Sequence, residues 1–200
     1  EFAICGNMNY DYQMGVSTTL KYKGVSLSAD LDIRQGGVMY SRTKDINYFT
    51  GNAIQTAYND RNTMIVPNSV NEIINADGTI SYVENTTPIS SANMQAGNPG
   101  TFWGNGGFDM GSYSLIDKSY IKLRSIALSW ELPNKWLANT PFQAVRLSAF
   151  GNNLFLWTPS DNTFVDPEMS SFGNDLEGQY GEYTANPSSR RFGFNVMVKF

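Results

Sequence analysis

Histidine is absent from the 200-residue chain. That removes the commonest general base and metal ligand, and with it any Ser–His or Cys–His nucleophile. Cysteine occurs once, at Cys5, so neither a disulfide framework nor a cluster of thiolates around a metal can form. A single thiol near a chain terminus reads as inert. Charge is scarce: Asp, Glu, Lys and Arg make up 16% of the residues, where about a quarter is usual. The net charge of −4 argues against nucleic acid as a partner, because that partner asks for basic patches. No stretch approaches the run of about 20 apolar residues that a membrane helix needs. The start, "EFAICGNMNYDY", lacks the basic opening and long apolar core of a signal peptide. None of these absences excludes a membrane, since barrel strands hide their lipid face in alternation and average out to a low hydropathy.

What the sequence does hold is alternation. Aromatic residues reach 14%, and Gly, Asn, Ser and Thr are abundant, as suits strands joined by polar loops. In "VSLSADLDIR", Val25, Leu27, Ala29, Leu31 and Ile33 fall on one parity and Ser26, Ser28, Asp30, Asp32 and Arg34 on the other. Period two of this kind predicts a strand with one wholly apolar and one wholly polar face. "GVSTTLKYK" precedes it, with Lys23-Gly24 as a tight turn between the two. In "SYIKLRSIALSWEL" the apolar parity switches between Leu123 and Ile126, which predicts a bulge near Ser125. "FQAVRLSAFGNNLFLW" sets Val145, Leu147 and Ala149 against Arg146, Ser148 and Phe150. The ending "RRFGFNVMVKF" puts Phe192, Phe194, Val196, Val198 and Phe200 on one face, with Gly193, Asn195, Met197 and Lys199 on the other. The expected strands are thus about 15–23, 24–35, 118–132, 142–157 and 189–200.

The connections are unequal. Two are short, including "PNKWLANTP", whereas 36–117 and 158–188 are long. The first long one holds a possible short helix in "KDINYFTGNAIQTAY", an Asp77-Gly78 turn and the glycine-rich "GTFWGNGGFDMG". Structureless loops of this length count against a soluble meander. Outer-membrane barrels have the asymmetry by default, with tight periplasmic turns and long external loops, and aromatic girdles near the strand ends. The fold class expected is therefore all-β, an antiparallel transmembrane barrel segment of about five C-terminal strands with long extracellular loops. Five strands would leave two open edges in hydrocarbon, where each unpaired backbone group costs several kcal/mol. The chain is accordingly expected to be part of a longer polypeptide.

Several phrases carry a resemblance. "YKGVSLSADLDIRQGGVMYSRT", "MIVPNSV", "YVENTTPI", "DKSYIKLRSIALSWELP", "VRLSAFGNNLFLWTP", "VDPEMSS" and "NPSSRRFGFNVMVKF" together resemble, in order and over nearly the whole chain, the C-terminal region of SusC/RagA-type TonB-dependent outer-membrane transporters. The resemblance implies a barrel of about twenty-two strands with an N-terminal plug and a TonB-contacting segment, neither of which lies in these 200 residues. It also implies a SusD-like surface lipoprotein as lid, and cargo that is mainly oligosaccharide, with peptides in some branches. It implies that the terminal strand, Gly193, Phe194, Val196, Val198 and Phe200, is read by the barrel-assembly machinery. The C-terminus is expected on the periplasmic side. The rival reading is a soluble all-β binding or adhesin module.

No catalytic residue is expected. Asp30 and Asp32 share a strand face about 7 Å apart, so they point the same way and do not flank a sugar as a glycosidase pair must. The reading preferred for Ser26, Ser28, Asp30, Asp32, Arg34, Lys122, Arg124 and Arg146 is the lining of a hydrated lumen. Asp166 and Glu168 in "VDPEMSS" have oxygens suited to a cation, but a solvated, turn-forming loop is the plainer expectation; neither cofactor nor metal is assigned. "GTFWGNGGFDMG" lacks the strand-to-helix setting and the lysine of a phosphate loop. Its Phe102, Trp103 and Phe108 are candidates for stacking on sugars or on the lid partner, or for packing within their own loop.

Overall fold

The computed structural model describes residues 4–89, 111–169, 171 and 180–200. In chain order the strands are β1 (Tyr12–Tyr22), β2 (Val25–Gln35), β3 (Val38–Ser41), β4 (Val70–Ile74), β5 (Ile80–Glu84), β6 (Leu115–Asp117), β7 (Tyr120–Glu131), β8 (Ala144–Trp157), β9 (Gly181–Glu182) and β10 (Arg191–Lys199). The chain divides into two units, residues 1–40 with 116–200, and residues 41–115.

The first unit is built on a five-stranded antiparallel sheet in the order β1-β2-β7-β8-β10. These are the five strands that alternation predicts. The turn from β1 to β2 uses Lys23 at φ 46° and Gly24 at φ 82°, the two positive angles of the hairpin turn whose twist matches the strands. β7 and β8 are joined by a short link containing the helical turn Asn134–Leu137.

Register aligns the apolar residues into rows across the sheet. Leu20, Leu27, Leu128, Ala149 and Phe194 form one row, and Tyr22, Val25, Trp130, Leu147 and Val196 the next. The expected phase slip in β7 falls at Arg124: Asp30 pairs with Ser125 and Leu31 with Leu123, so Arg124 is an extra residue relative to β2. β8 carries one more again, because Leu123 pairs with Phe155 and Ser125 with Asn152. Asn153 there adopts φ 54°, a conformation that asparagine tolerates better than most residues. One added residue switches the apolar parity of β7 and two restore it in β8, which keeps the apolar face continuous.

Among the described residues, that face is left largely open. Phe194 is 87% exposed and Leu128 52% exposed. Aromatic pairs sit towards its ends: Phe155 stacks on Trp157 at 5.6 Å, Trp130 meets Trp136 edge-on at 5.4 Å, and Phe142 meets Phe200 at 5.4 Å. The described sheet is open, since β1 and β10 each have a single neighbour. Beside it β3 lies between β6 and β9 in a short three-stranded sheet, where Met39 and Ile116 are buried.

The second unit adds short regular elements to the long connection expected over 36–117. Ser41 caps α1 (Arg42–Phe49), its hydroxyl accepting from the Lys44 backbone N–H at 3.1 Å, as helix N-termini favour. An irregular 3-10 segment, Ile54–Arg61, follows. Thr56 is buried in it and donates to the Ala53 carbonyl at 2.6 Å. β4 and β5 form a hairpin closed at the expected Asp77-Gly78 turn, where Asp77 accepts from the Thr79 backbone N–H at 3.0 Å.

Candidate functional site

The polar face of β2 and β7 collects the charge of this sheet. Register sets Asp32 opposite Lys122 and Arg34 opposite Tyr120, and alternation sends all of them to the side away from the apolar rows. Arg124, at the bulge, joins them: its guanidinium pairs with Asp32. Arg34 lies 3.6 Å from the Asp32 carboxylate. Its guanidinium is also held between two rings, 5.3 Å from the centroid of Tyr10 and 5.4 Å from that of Tyr120, a favourable setting for a planar cation. Lys118 stands over the other part of this arrangement, its Nζ 4.7 Å from the Tyr10 centroid and donating to the Met8 carbonyl at 3.1 Å.

The connection after β8 completes the cluster. "DPE" folds as a turn: the Asp166 side chain accepts from the Glu168 backbone N–H at 3.1 Å through Oδ1, and its backbone carbonyl accepts from Met169 N–H at 2.9 Å. This turn presents both carboxylates to the strands. Lys122 Nζ donates to Asp166 Oδ2 at 2.5 Å and to Glu168 Oε2 at 2.7 Å. Glu168 also accepts from Tyr120 Oη at 2.7 Å and from Arg124 Nη1 at 2.6 Å, with a second bond from Arg124 Nη2. Arg34 reaches the same carboxylate at 3.4 Å.

The electrostatics follow from this crowding. Burial alone would push the Glu168 carboxyl up, but hydrogen bonds from Arg124, Lys122 and Tyr120 outweigh it and bring its pKa down to about 2. Lys122 and Asp166 have only 4% of their side chains exposed, so this pair is screened little by solvent. Lys122 is therefore not part of a water-facing wall, as alternation had predicted, because the turn covers it. Asp166 and Glu168 do not sit free in solvent either, and the cations they meet are protein side chains.

The other predicted positions are more open. Asp30 accepts from Ser125. Ser26 lies in register with Ser129, whose hydroxyl accepts from Ser148 at 2.9 Å. Ser28 is in register with Ala127. Arg146 pairs with Glu131 across β7 and β8, an exposed pair that contributes little to stability. On β10, Gly193 lies opposite Phe150, and a Cβ there would be 2.4 Å from the phenyl ring; the glycine leaves the space that the ring occupies. Phe194, Val196, Val198 and Phe200 line the uncovered apolar face or its end. Phe102, Trp103 and Phe108 lie outside the described residues. Two tyrosines were not singled out from the sequence. Tyr120 shares its parity with Lys122 and Arg124, a signal that was available. Tyr10 precedes β1 and had none.

Taken together, a two-faced sheet with an uncovered apolar side and a charged opposite side defines a segment of outer-membrane-type β-barrel wall. Comparison with known proteins agrees. No family model matches. The chain is 31% identical over 91 residues to "TonB-dependent receptor P3" of Formosa agariphila, covering 43% of the chain and 9% of that protein. It is 24% identical over 198 residues to "TonB-dependent receptor P26" of the same organism, covering 96% of the chain and 17% of that protein. In fold it is similar to a chain of the RagAB peptide importer in its closed-closed state, with TM-score 0.58 and 19% identity over 98% of this chain and 18% of the importer chain. The open-open state gives TM-score 0.54 at the same identity, covering 94% of this chain and 17% of that one. The chain thus spans less than a fifth of the length of these proteins. Sequence relatives and fold neighbours support one resemblance, to a fragment of a SusC/RagA-like TonB-dependent transporter.

Proposed function

We propose that this chain is part of the wall of an outer-membrane importer that takes up nutrients by TonB-dependent active transport. The observation that carries this reading is the continuous apolar face of the five-stranded sheet, held in phase across two irregular strands, with large exposed side chains such as Phe194, Val196 and Leu128 among the described residues. Lipid is the environment in which such a face is stable, and the free edges of β1 and β10 are then closed by further strands of the same barrel. The polar face becomes the inner wall, and Ser26, Ser28, Asp30 and Arg146 lie towards a hydrated interior. The cargo is an oligosaccharide or a peptide, the latter being what the solved neighbours are named for, and a SusD-like surface lipoprotein captures it. TonB would act on a plug contributed by other parts of the protein. The process is transport, with no bond made or broken by these side chains.

In this reading, strand parity puts both long connections outside the cell, and the β7–β8 link and the C-terminus in the periplasm. Single cysteines at Glu72 and Asn134, both exposed, test the arrangement in the full-length protein on intact cells. A membrane-impermeant maleimide should label Glu72→Cys and leave Asn134→Cys unlabelled until the cells are lysed. Labelling of Asn134→Cys on intact cells would overturn the sidedness. Recovery of the full-length protein from the soluble fraction would overturn the membrane reading itself.

A further inference from the structure

The charged cluster has a property that neither its strands nor its loop possesses alone. Three cations, Arg34, Lys122 and Arg124, project from the polar face, and the same face supplies a single carboxylate within ion-pair distance of them, Asp32. Asp166 and Glu168 supply the other two, and both come from the connection after β8. These six groups balance, and Lys118, over the Tyr10 ring, is a fourth cation outside these ion pairs. Without the two from the connection, Arg34, Lys122 and Arg124 would share the single carboxylate of Asp32, with Lys118 nearby. Their placement is specific, because the Asp166 side chain fixes the turn with one oxygen and meets Lys122 with the other.

We propose that Asp166 and Glu168 are specificity-determining residues that mask most of the positive charge of the inner wall, so that the passage beside β2 and β7 does not favour anionic cargo. This rests on the polar face being the hydrated inner wall of an importer. The masking is contributed by a loop, so its sign can be reset by changes in the loop with no change in any strand. Removing the two carboxylates exposes a net positive wall that attracts anions and repels cations over about one Debye length.

The test measures that field directly, in the full-length protein assembled in its membrane. In a cysteine-free background, Ser28→Cys on the polar face of β2 is allowed to react with two methanethiosulfonates of similar size, one carrying a sulfonate and one a trimethylammonium group. The ratio of their rates reports the local potential. Asp166→Asn with Glu168→Gln should raise the anion-to-cation ratio by about three- to tenfold at low ionic strength, and the gain should shrink in high salt. Glu168→Gln alone, which leaves Asp166 on Lys122, should give a smaller rise of the same sign and serves if the double variant does not assemble. Lys122→Gln with Asp166→Asn removes one charge of each sign and should leave the ratio at its starting value. An unchanged ratio without the carboxylates would overturn the masking. So would an equal rise in the charge-balanced pair, which would trace the effect to displacement of the loop. A thiol at position 28 that reacts with neither reagent in any variant would overturn the hydrated inner wall, and the masking with it.

Discussion

Replacing Glu168 by Gln isolates the contribution of one charge to holding the connection after β8 on the sheet. The substitution keeps the size of the side chain and one acceptor oxygen, so any loss is mainly electrostatic. A carboxyl whose pKa falls from about 4.3 in an unfolded chain to about 2 in the folded one contributes on the order of 3 kcal/mol at neutral pH. Only 16% of the Glu168 side chain is exposed, so little of this is lost to solvent screening. Leaving Lys122 and Arg124 with one carboxylate fewer works in the same direction. Hydrogen exchange of the backbone amides from Val165 to Met169, measured in the full-length protein in detergent micelles, reads the local opening. Glu168→Gln should raise exchange there by about 100-fold, the equivalent of roughly 3 kcal/mol. The pH dependence has a defined sign. Because the folded-state pKa is depressed, the contribution is fully present above the ordinary carboxyl range and is lost as pH falls through it towards 2. Protection in the wild-type protein should be flat from pH 7 to about 5 and fall below about 4. Exchange in Glu168→Gln equal to that of the wild type, or a wild-type transition near pH 6, would refute the electrostatic account of the clamp.

Three further outcomes follow from the faces of the sheet. Leu27→Arg or Leu31→Arg should destabilise the assembled barrel by roughly 2–4 kcal/mol if the residue lies near the bilayer midplane, with Ser28→Arg far milder; equal losses in denaturant titrations would remove the lipid-facing assignment. Phe200→Asp should reduce heat-modifiable barrel in outer-membrane fractions far more than it reduces synthesis, whereas Met197→Thr, on the other face of β10, should be tolerated. Gly193→Val forces a side chain into the space of the Phe150 ring and should cost about 1–3 kcal/mol; adding Phe150→Ala should recover most of that loss, and a failure to recover it would show that the ring is not the obstacle.

The sheet was legible in the sequence because a lipid-facing strand leaves a strict period of two. Val25 to Ile33 alternate without exception, Lys23-Gly24 carries the chemistry of its turn, and the parity change between Leu123 and Ile126 marks the bulge. The clamp was only half legible. Lys122 and Arg124 could be placed on the polar face, but their partners are 44 or more positions away, and no local pattern encodes the path of a loop. Asp166 and Glu168 therefore read as a solvated turn, with a cation site as the lesser alternative. In residues 41–115 the elements are short and largely exposed, so β4 and β5 have no apolar face to betray them, and only their Asp77-Gly78 turn stood out.

The irregularities in β7 and β8 have a consequence for how such a wall tolerates inserted and deleted residues. Relative to β2, one strand is longer by a single residue at this height and the next by two. Each is in effect two half-strands joined at a seam, and each half keeps its own phase. β2, β7 and β8 have no, one and two added residues at the seam and all keep their apolar side chains on one face, so a bulge absorbs a change of one residue as well as of two. Loss of Arg124 would make Leu123, Ser125 and Ile126 consecutive, so Ile126, Leu128 and Trp130 would still share the face of Leu123; loss of Asn153 together with Leu154 would likewise leave Phe155 and Trp157 on the apolar side. Length variation at this seam is thus open to single steps, because the added residue is left out of the ladder and the half-strands on either side keep their faces.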